Sequence, residues 1–376
     1  MTSEERHEAR YQRRKAKREE QKRKRNAMTY EEVFSFENIY SAFNKCKNGV
    51  MWKTSVQGYA AGHLAKAYRT HRELINGTYR SKGFVEFDIM ERGKPRHIRS
   101  VHISERVVQR CLCDNHLVSA LSRTFIYDNG ASLKGKGIHF TMNRLCEHLR
   151  WHYRRYGTEG YVLTFDFSKY FDLANHDAIF KEIDRCISDE RLRKQTKYFI
   201  RQFGNVGLGL GSQVSQIAAL ALPNRLDHYI KEKLRVHCYA RYMDDAYLIH
   251  PSKEYLQKCL DDIRQICEEL GVILNQNKTR IVKLEKGFTF LKIRFFLTQT
   301  GRIVKKVYPK SVTRMRRKLK KFKHLVEEGK MSEFDAYQSV QSWLSHTLIL
   351  NSFQTRTSIK QLYYNLFGGK YVFKDC

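Results

Sequence analysis

The sequence lacks any long apolar run, and this absence bears on where the protein works. The longest uninterrupted apolar stretch covers only residues 217–222. Crossing a bilayer takes about 18 such residues, so no membrane-spanning helix is expected. The segment Glu4–Arg25 is charged and has no apolar core, so we expect no export signal and a cytoplasmic location.

Clustered metal-ligating residues are also missing. The nine cysteines are scattered, odd in number and never spaced as CxxC. Neither a disulfide framework nor a zinc knuckle is therefore predicted, and most cysteines should be small, reduced core residues. His148 and His152 stand four apart on a predicted helix and could share a metal ion, but no second ligand pair follows at zinc-site spacing.

Acidic residues are in short supply, since 39 Asp and Glu face 70 Lys and Arg, giving a net charge of +31. This excess indicates a polyanionic partner, with nucleic acid first and an anionic membrane surface second. Residues 4–25 hold eleven basic residues and five glutamates without apolar periodicity, which predicts a mobile or conditionally helical arm. Because the arm contributes only +6, the folded body should itself present a basic groove.

The apolar fraction of 41% and the aromatic fraction of 12% are high enough for a folded chain. Strands and helices alternate irregularly, which predicts an α+β fold with helices on one face of a sheet. Helices are expected at 104–119, 177–203, 215–231 and 254–270, and strands at 84–90, 96–101, 161–167, 236–241, 246–250, 271–274, 281–284 and 288–295. Beyond residue 301, apolar stripes opposite Lys/Arg-rich faces predict a basic helical segment, in which Ser332 and Asp335 form a capping box.

Acidic residues follow two of the predicted strands. Asp244 and Asp245, in Tyr242-Met243-Asp244-Asp245, fall at a hairpin turn, and Asp166 ends an apolar strand. Adjacent acids in a turn are usually solvated turn formers. Phosphoryl transfer to a primer 3′-hydroxyl, however, needs two Mg²⁺ ions about 4 Å apart, and carboxylates on neighbouring strands can bridge such a pair. These three carboxylates meet that requirement.

Around these acids, the sequence resembles the reverse transcriptases over about residues 34–367. The resemblance rests on five motifs in the expected order: FDFSKYFD (165–172), LGSQVSQ (210–216), YMDD (242–245), LNQNKT (274–279) and GFTFLKIRF (287–295). The first and third look like the two catalytic motifs, and the second is similar to the glycine-serine motif under the templating base. The last two resemble the late lysine motif and the primer grip.

The resemblance implies a right-hand polymerase fold. We expect a basic arm (1–27), fingers (28–157), a palm (158–300) with a helical insertion (177–203), and a thumb (301–376). It also implies two Mg²⁺ ions, and these would be held by Asp166, Asp244, Asp245 and the backbone carbonyl of Phe167.

Further roles follow from the same resemblance. Phe171 would exclude a ribose 2′-hydroxyl, although a plain core aromatic is the alternative for this residue. Arg96, helped by Lys94, would grip the incoming triphosphate, and Lys278 would protonate the leaving pyrophosphate. The other nucleotide-binding positions that we expect are Lys169, Tyr170, Leu210, Gly211 and Gln216.

The glycine-serine motif departs from the retroviral and intron-type pattern, because Leu210 replaces its glutamine and Gln216 its proline. This form looks like that of diversity-generating retroelement enzymes and of stand-alone bacterial enzymes, some of which act in phage defence. We therefore expect an RNA-directed DNA polymerase that uses an RNA template, a DNA or RNA primer, dNTPs and a dedicated structured RNA, in phage defence or in a retroelement.

Several alternatives stay open at the level of sequence. A catalytically idle RNA-binding scaffold and a mutagenic retrohoming enzyme would keep the same core. An RNA-templated RNA polymerase is disfavoured by Phe171, whose ring leaves little room for a ribose hydroxyl. No membrane partner is expected, and a second copy of the chain or an accessory protein stays open.

Overall fold

A computed structural model describes residue 5 and residues 8–16, 28–91 and 94–373. Of the predicted arm, residues 8–16 are helical, and most of the remainder lies outside the described residues. The chain divides into two compact units. The first contains Met1–Gly137, Phe167–Lys233 and Ile263–Leu274, and the second contains Ile138–Asp166, Leu234–Asp262 and Asn275–Cys376. The limits given above for fingers, palm and thumb stay a prediction.

Helices and strands follow one another in irregular order. Up to residue 166 these are α1 (Tyr30–Val33), α2 (Phe36–Cys46), α3 (Thr54–Ala60), α4 (His63–Ile75), β1 (Phe84–Glu91), β2 (Lys94–Val101), α5 (Ile103–Leu112), α6 (Val118–Ser122), α7 (Ile138–Tyr156) and β3 (Tyr161–Asp166). Next come α8 (His176–Cys186), α9 (Glu190–Arg201), α10 (Gln213–Ala221), α11 (Asn224–His228), β4 (Tyr239–Tyr242), β5 (Asp245–His250) and α12 (Lys253–Leu270). The last are β6 (Arg280–Lys283), β7 (Phe288–Phe290), β8 (Ile293–Leu297), β9 (Ile303–Val307), α13 (Pro309–Glu327), α14 (Glu333–Thr347) and α15 (Phe353–Phe367).

Three antiparallel sheets are present in the described residues. β1 and β2 pair as the predicted hairpin in the first unit. In the second unit, a four-stranded sheet has the order β4-β5-β3-β6, and a three-stranded sheet has the order β7-β8-β9. The strands of the larger sheet are four to six residues long, and β3 is buried over five of its six residues.

Three expectations about elements were wrong. The helix expected at 215–231 is divided, because Pro223 cannot donate the backbone hydrogen bond that a continuing helix needs. The strand expected at 271–274 is reduced to one isolated bridge between Leu274 and Phe167. The strand expected at 288–295 is a hairpin of β7 and β8, and the pairing of β9 with β8 was not foreseen.

The second unit holds two apolar cores. One lies between the sheets and α7, and it includes Leu149, Val162, Tyr247 and Phe295. The other joins α13, α14 and α15, where Ser332 and Asp335 form the predicted capping box. In the part of the chain that the structure describes, no helix is both long and apolar enough to cross a membrane.

Most of the described cysteines, together with His148 and His152, are buried in the protein interior. Each of the eight described cysteines is free, and six of them are buried, as expected of reduced core residues. His148 is buried and shares a hydrogen bond of 2.8 Å with the Tyr247 hydroxyl, while His152 Nε2 donates to the Glu159 carbonyl at 2.6 Å. These contacts favour a structural role for both histidines in the core, although His152 Nδ1 is buried without a hydrogen-bond partner among the described residues.

Candidate active site

The pairing of β3 with β5 brings two of the predicted carboxylates together in the second unit. In this antiparallel register Asp166 stands opposite Asp245. Residues directly opposite each other project from the same face, with their Cβ atoms about 5 Å apart. Asp244 precedes Asp245 in the loop between β4 and β5, so all three carboxylates lie at one end of the sheet.

The loop that carries Asp244 is held in a strained conformation. Tyr242 pairs with Asp245, which leaves only Met243 and Asp244 to turn the chain. Met243 has φ of 55°, and for a residue with a Cβ this left-handed region costs about 1–2 kcal/mol. Arg241, which is fully buried, donates from Nη1 to the Met243 carbonyl at 2.9 Å. Arg241 was not predicted from the sequence, although a cation inside a strand next to two acids was a signal.

The electrostatics of the three carboxylates reflect their burial. Asp166 is only 3% exposed, and Asp244 and Asp245 are half-buried. Burial, followed by the negative charge of Asp166, raises the pKa of Asp244. Burial and the charges of Asp244 and Asp166 raise the pKa of Asp245 to about 7. Removing these groups from water and placing them together disfavours their charged forms, so the site favours an added cation.

Lys278 supplies one such positive charge. Its Nζ lies 2.6 Å from Asp166 Oδ2. Burial alone would lower the pKa of Lys278, but the hydrogen bond to Asp166 and the charge of that carboxylate raise it above its ordinary value. Asn275 completes the contacts, because its Nδ2 donates to Asp166 Oδ1 at 3.3 Å and its backbone N–H to the Asp166 carbonyl at 2.8 Å. Asn275 was not singled out from the sequence, although it belongs to the same LNQNKT motif.

The carboxylates suit divalent metal ions in chemistry but not in their present arrangement. Hard carboxylate oxygens are the ligands that Mg²⁺ prefers. Burial, followed by the neighbouring carboxylates, raises the pKa of Asp244 and Asp245, so a nearby cation would stabilise their charged forms. Within the described ranges, however, no group of three or more His, Cys, Asp or Glu side chains is arranged to hold an ion. Both oxygens of Asp166 instead accept from Lys278 and Asn275. The residues therefore fit a metal only if Lys278 releases Asp166.

The other predicted site residues lie in the first unit, and four of them directly follow β3. Lys169 is exposed and turns the chain with φ of 46°. Tyr170 is buried, and its hydroxyl donates to the Ala219 carbonyl, which favours a packing role over contact with a nucleotide. Phe171 is half-exposed. Phe167, whose carbonyl is an expected metal ligand, also belongs to this unit.

The glycine-rich segment before α10 packs closely against the turn that carries Phe171. Leu208 N–H donates to the Phe171 carbonyl at 2.7 Å, and Gly207 N–H donates to the Ala174 carbonyl at 2.9 Å. A Cβ on Gly207, which has φ of +94°, would lie 2.8 Å from the Asp172 carbonyl oxygen. The two motifs of the first unit are thus joined by their backbones, and this position tolerates only glycine.

The predicted residues of the second motif occupy different environments. Leu210 is half-exposed, and Gly211 and Gln216 are exposed. Between them, the fully buried Ser212 caps α10 by accepting from Ser215 N–H at 3.1 Å, and it donates to Gln109 Oε1 at 2.8 Å. This contact with α5 was not predicted from the sequence.

Strand β2 contains the two residues predicted to grip the triphosphate. Lys94 begins this strand, and Arg96 is paired with Ile89 of β1. The side chains of both residues lie outside what the structure describes.

A known protein family matches most of this chain. The family model "Reverse transcriptase (RNA-dependent DNA polymerase)" matches residues 91–332, well over half of the chain. No curated protein sequence matches.

Three solved telomerase structures are similar to the chain. Apo telomerase from Candida tropicalis shares 13% identity and a TM-score of 0.47, over 81% of this chain and 64% of that one. Apo telomerase from Candida tropicalis truncated from its C-terminal domain shares 14% identity and a TM-score of 0.47, over 59% of this chain and 54% of that one. Telomerase from Candida albicans, in complex with a TWJ fragment of telomeric RNA, shares 12% identity and a TM-score of 0.46, over 76% of this chain and 62% of that one.

The chain thus spans 54% to 64% of the length of these telomerase chains. The family match carries the assignment, and with it the predicted α+β right-hand polymerase fold is confirmed. The chain belongs to the reverse transcriptase family, the RNA-directed DNA polymerases, which are nucleotidyltransferases.

Proposed function

We propose that this chain synthesises DNA on an RNA template by two-metal phosphoryl transfer, with Asp166, Asp244 and Asp245 as metal ligands. The observation that carries the proposal is the pairing of Asp166 with Asp245 across β3 and β5, with Asp244 in the adjoining turn. The net charge of +31 supports a nucleic-acid substrate. Two Mg²⁺ ions bound there would activate the primer 3′-hydroxyl and neutralise the triphosphate.

The chain's own residues would prepare this reaction. Arg241 fixes the turn through the Met243 carbonyl, so that Asp244 and Asp245 keep their positions when charge develops. Lys278, released from Asp166 Oδ2, would hold a proton at Nζ that the leaving pyrophosphate can accept. The hydrogen bond to Asp166 and the charge of that carboxylate raise the pKa of Lys278, which favours its protonated form while the pair persists.

Substrate selection would involve residues on the first unit. Phe171 would exclude the 2′-hydroxyl of a ribonucleotide, and the exposed Lys169, Gly211 and Gln216 would contact the nucleotide or its template. Leu210 would lie near the nascent pair without offering hydrogen bonds. Arg96 and Lys94 would bind the triphosphate, and Phe167 would offer its carbonyl to a metal ion.

The finer assignment concerns the biological setting. Leu210 and Gln216 support a stand-alone bacterial subtype similar to diversity-generating retroelement and defence-associated enzymes. A dedicated structured RNA would then be the natural partner of so basic a chain. Sequencing the RNA and cDNA that co-purify with the protein tests this assignment. Co-purified RNA of random sequence would contradict it.

The decisive test of catalysis replaces both acids of the turn. Asp244→Asn with Asp245→Asn should reduce Mg²⁺-dependent primer extension on an RNA template by on the order of 10³-fold or more, because anionic metal ligands are lost. Binding of the primer–template without Mg²⁺ and the thermal unfolding midpoint serve as controls, and neither should fall. Full extension by the double variant would remove the polymerase assignment.

One observation favours a second candidate, a catalytically idle RNA-binding scaffold. Lys278 forms an ion pair with Asp166. This pair neutralises the charge of a carboxylate that would otherwise be needed to bind a metal ion. An idle scaffold would bind RNA yet extend no primer at any concentration of Mg²⁺ or Mn²⁺. Extension by the parent chain that is lost in the double variant rejects this candidate.

A further inference from the structure

A cavity of about 220 Å³ lies in the second unit, where β6 passes through the 3₁₀ turn Leu284–Lys286 into β7. Among the residues that line it are Arg280, Lys286, Gly287, Phe288, Thr289 and Arg294. Since a water molecule occupies about 30 Å³ in the liquid, the space accommodates a small anion together with part of its hydration shell.

The charges that line this cavity are of one sign. Three lining residues, Arg280, Lys286 and Arg294, are cationic, and none of the lining residues is acidic. The nearby Glu285 is engaged elsewhere, since its Oε1 lies 3.7 Å from Lys283 Nζ. Within the described part of the chain, none of the three cations forms an ion pair with a carboxylate. Their positive charge is therefore available to an external anion.

Arg294 is both oriented and incompletely satisfied. Its Nη2 donates to the Lys286 carbonyl at 3.3 Å, and its guanidinium carbon lies 4.9 Å from the centre of the Phe296 ring. Its Nε is buried and has no hydrogen-bond partner among the described residues. A buried donor without a partner is unusual in a native structure, and this one belongs to a guanidinium whose residue lines the cavity.

The wall of the cavity is fixed by close backbone packing. Gly287 has φ of +65°, and a Cβ there would lie 2.7 Å from the Phe295 carbonyl oxygen. Thr289 and Arg294 stand opposite each other in the β7–β8 ladder, so their side chains share one face. The site is thus shaped by paired strands and a tight turn, and its cations come from three separate segments.

We propose that this cavity binds the terminal 5′-phosphate of a nucleic-acid strand. A phosphate monoester carries a charge of about −1.5 to −2 and three free oxygens, which suits a cavity lined by three cations. A phosphodiester within a strand has one negative charge and two free oxygens, and its chain must also enter and leave the site. The inference goes beyond the polymerase reaction because it involves neither the carboxylates nor a metal ion, although four of the lining residues belong to the segment 287–295 that resembles the primer grip.

The test compares two single-stranded RNA oligonucleotides of one sequence, with a 5′-phosphate or a 5′-hydroxyl. Binding to the full chain is measured by fluorescence anisotropy without divalent ions or dNTPs. The parent should prefer the phosphorylated strand by on the order of tenfold, as expected for charge-assisted hydrogen bonds. Arg280→Gln with Lys286→Gln, two exposed positions, should abolish the preference. Lys283→Gln, which removes one charge from the same strand outside the cavity, should retain it.

Two outcomes would overturn the proposal. One is equal affinity of the parent for both oligonucleotides, and the other is a preference that survives in the double variant. Inorganic phosphate distinguishes the source of the anion. If the parent broadens the ³¹P resonance of inorganic phosphate but shows no preference for the phosphorylated strand, the cavity binds free anions and not strand ends. Unfolding midpoints of both variants within about 2 °C of the parent's establish that the fold is intact.

Discussion

At the scale of single residues, Asp245 links the chemistry of the site to its stability. Its raised pKa means that the folded chain binds a proton at this position more tightly than the unfolded chain does. Between the ordinary carboxyl pKa of about 4 and the folded value of about 7, the folded state therefore carries more protons. Stability from this group is present at low pH and is lost as the pH rises through about 7.

Asp245→Asn should accordingly stabilise the metal-free protein at pH 8, by about 1–3 kcal/mol, because the variant carries no charge to desolvate. The advantage over the parent should shrink as the pH is lowered from 8 to 5, since the parent's carboxyl then becomes protonated. Urea unfolding at several pH values measures this difference in the free energy of unfolding. Asp172→Asn, at an exposed position, is the control, and an advantage that does not vary with pH would contradict the argument.

Phe171 offers a second prediction at this scale. Phe171→Ala should weaken discrimination against ribonucleotides by about 10–100-fold, because a clash with the 2′-hydroxyl is replaced by empty volume. The ratio of kcat/KM for dNTP and rNTP incorporation measures it. Tyr170→Phe, which removes only the hydroxyl that donates to the Ala219 carbonyl, should leave the ratio unchanged. An unchanged ratio in Phe171→Ala would show that this ring is not the gate.

At the scale of elements, the start of α10 depends on two serines with opposite roles. Ser212 and Ser215 are both fully buried and three residues apart. Ser212 Oγ caps the helix and bonds to Gln109, whereas Ser215 Oγ has no hydrogen-bond partner in the described ranges. An unsatisfied buried hydroxyl lowers stability, and a satisfied cap raises it.

Ser212→Ala should therefore lower the free energy of unfolding by about 1–3 kcal/mol, since it removes the cap and leaves Gln109 Oε1 without this donor. Ser215→Ala should be neutral or slightly stabilising, because the lost hydroxyl made no bond. Denaturant unfolding of the two variants under one condition gives the comparison. Equal losses in both would mean that burial alone, and not capping, determines the cost.

How far an element could be predicted depended on whether its turns carried a sequence signal. The strands beside Asp244 were predictable, since apolar residues flank an acidic pair. The β7–β8 turn was not, because Leu291 and Lys292 adopt φ of 49° and 61° where asparagine and glycine are usual. The alternation of apolar residues does shift by one position between Phe290 and Ile293, which is the only local trace of the turn.

The site was predictable where it is local and not where it depends on distant partners. The motifs identified Asp166 and Lys278 as candidates, and in the structure Lys278 Nζ lies 2.6 Å from Asp166 Oδ2. The contact of Gln109 with Ser212, by contrast, joins residues 103 positions apart in the sequence. No periodicity or spacing encodes such a pair, because tertiary packing alone brings it together.

At the scale of the whole molecule, positive charge is the dominant property, and it is divided between the arm and the body. The arm contributes +6 of the net +31. Its basic residues could contact phosphates but cannot read bases, so binding through them would tolerate any sequence and depend strongly on salt. We expect the arm to anchor a large folded RNA, with a solubility tail or weak membrane tether as the alternatives.

Deleting residues 1–27 should therefore lower affinity for the cognate RNA and flatten its dependence on salt. Each phosphate contact that is lost removes about 0.7–0.9 from the slope of log affinity against log salt concentration. Extension of a short generic primer–template should change little, because the body keeps about +25 of the charge together with Asp166, Asp244 and Asp245. Filter binding from 50 to 400 mM KCl measures the slope, with extension assayed on the same preparations. If the truncated chain binds its RNA with the parental slope, the arm makes no phosphate contacts and the body alone holds the RNA.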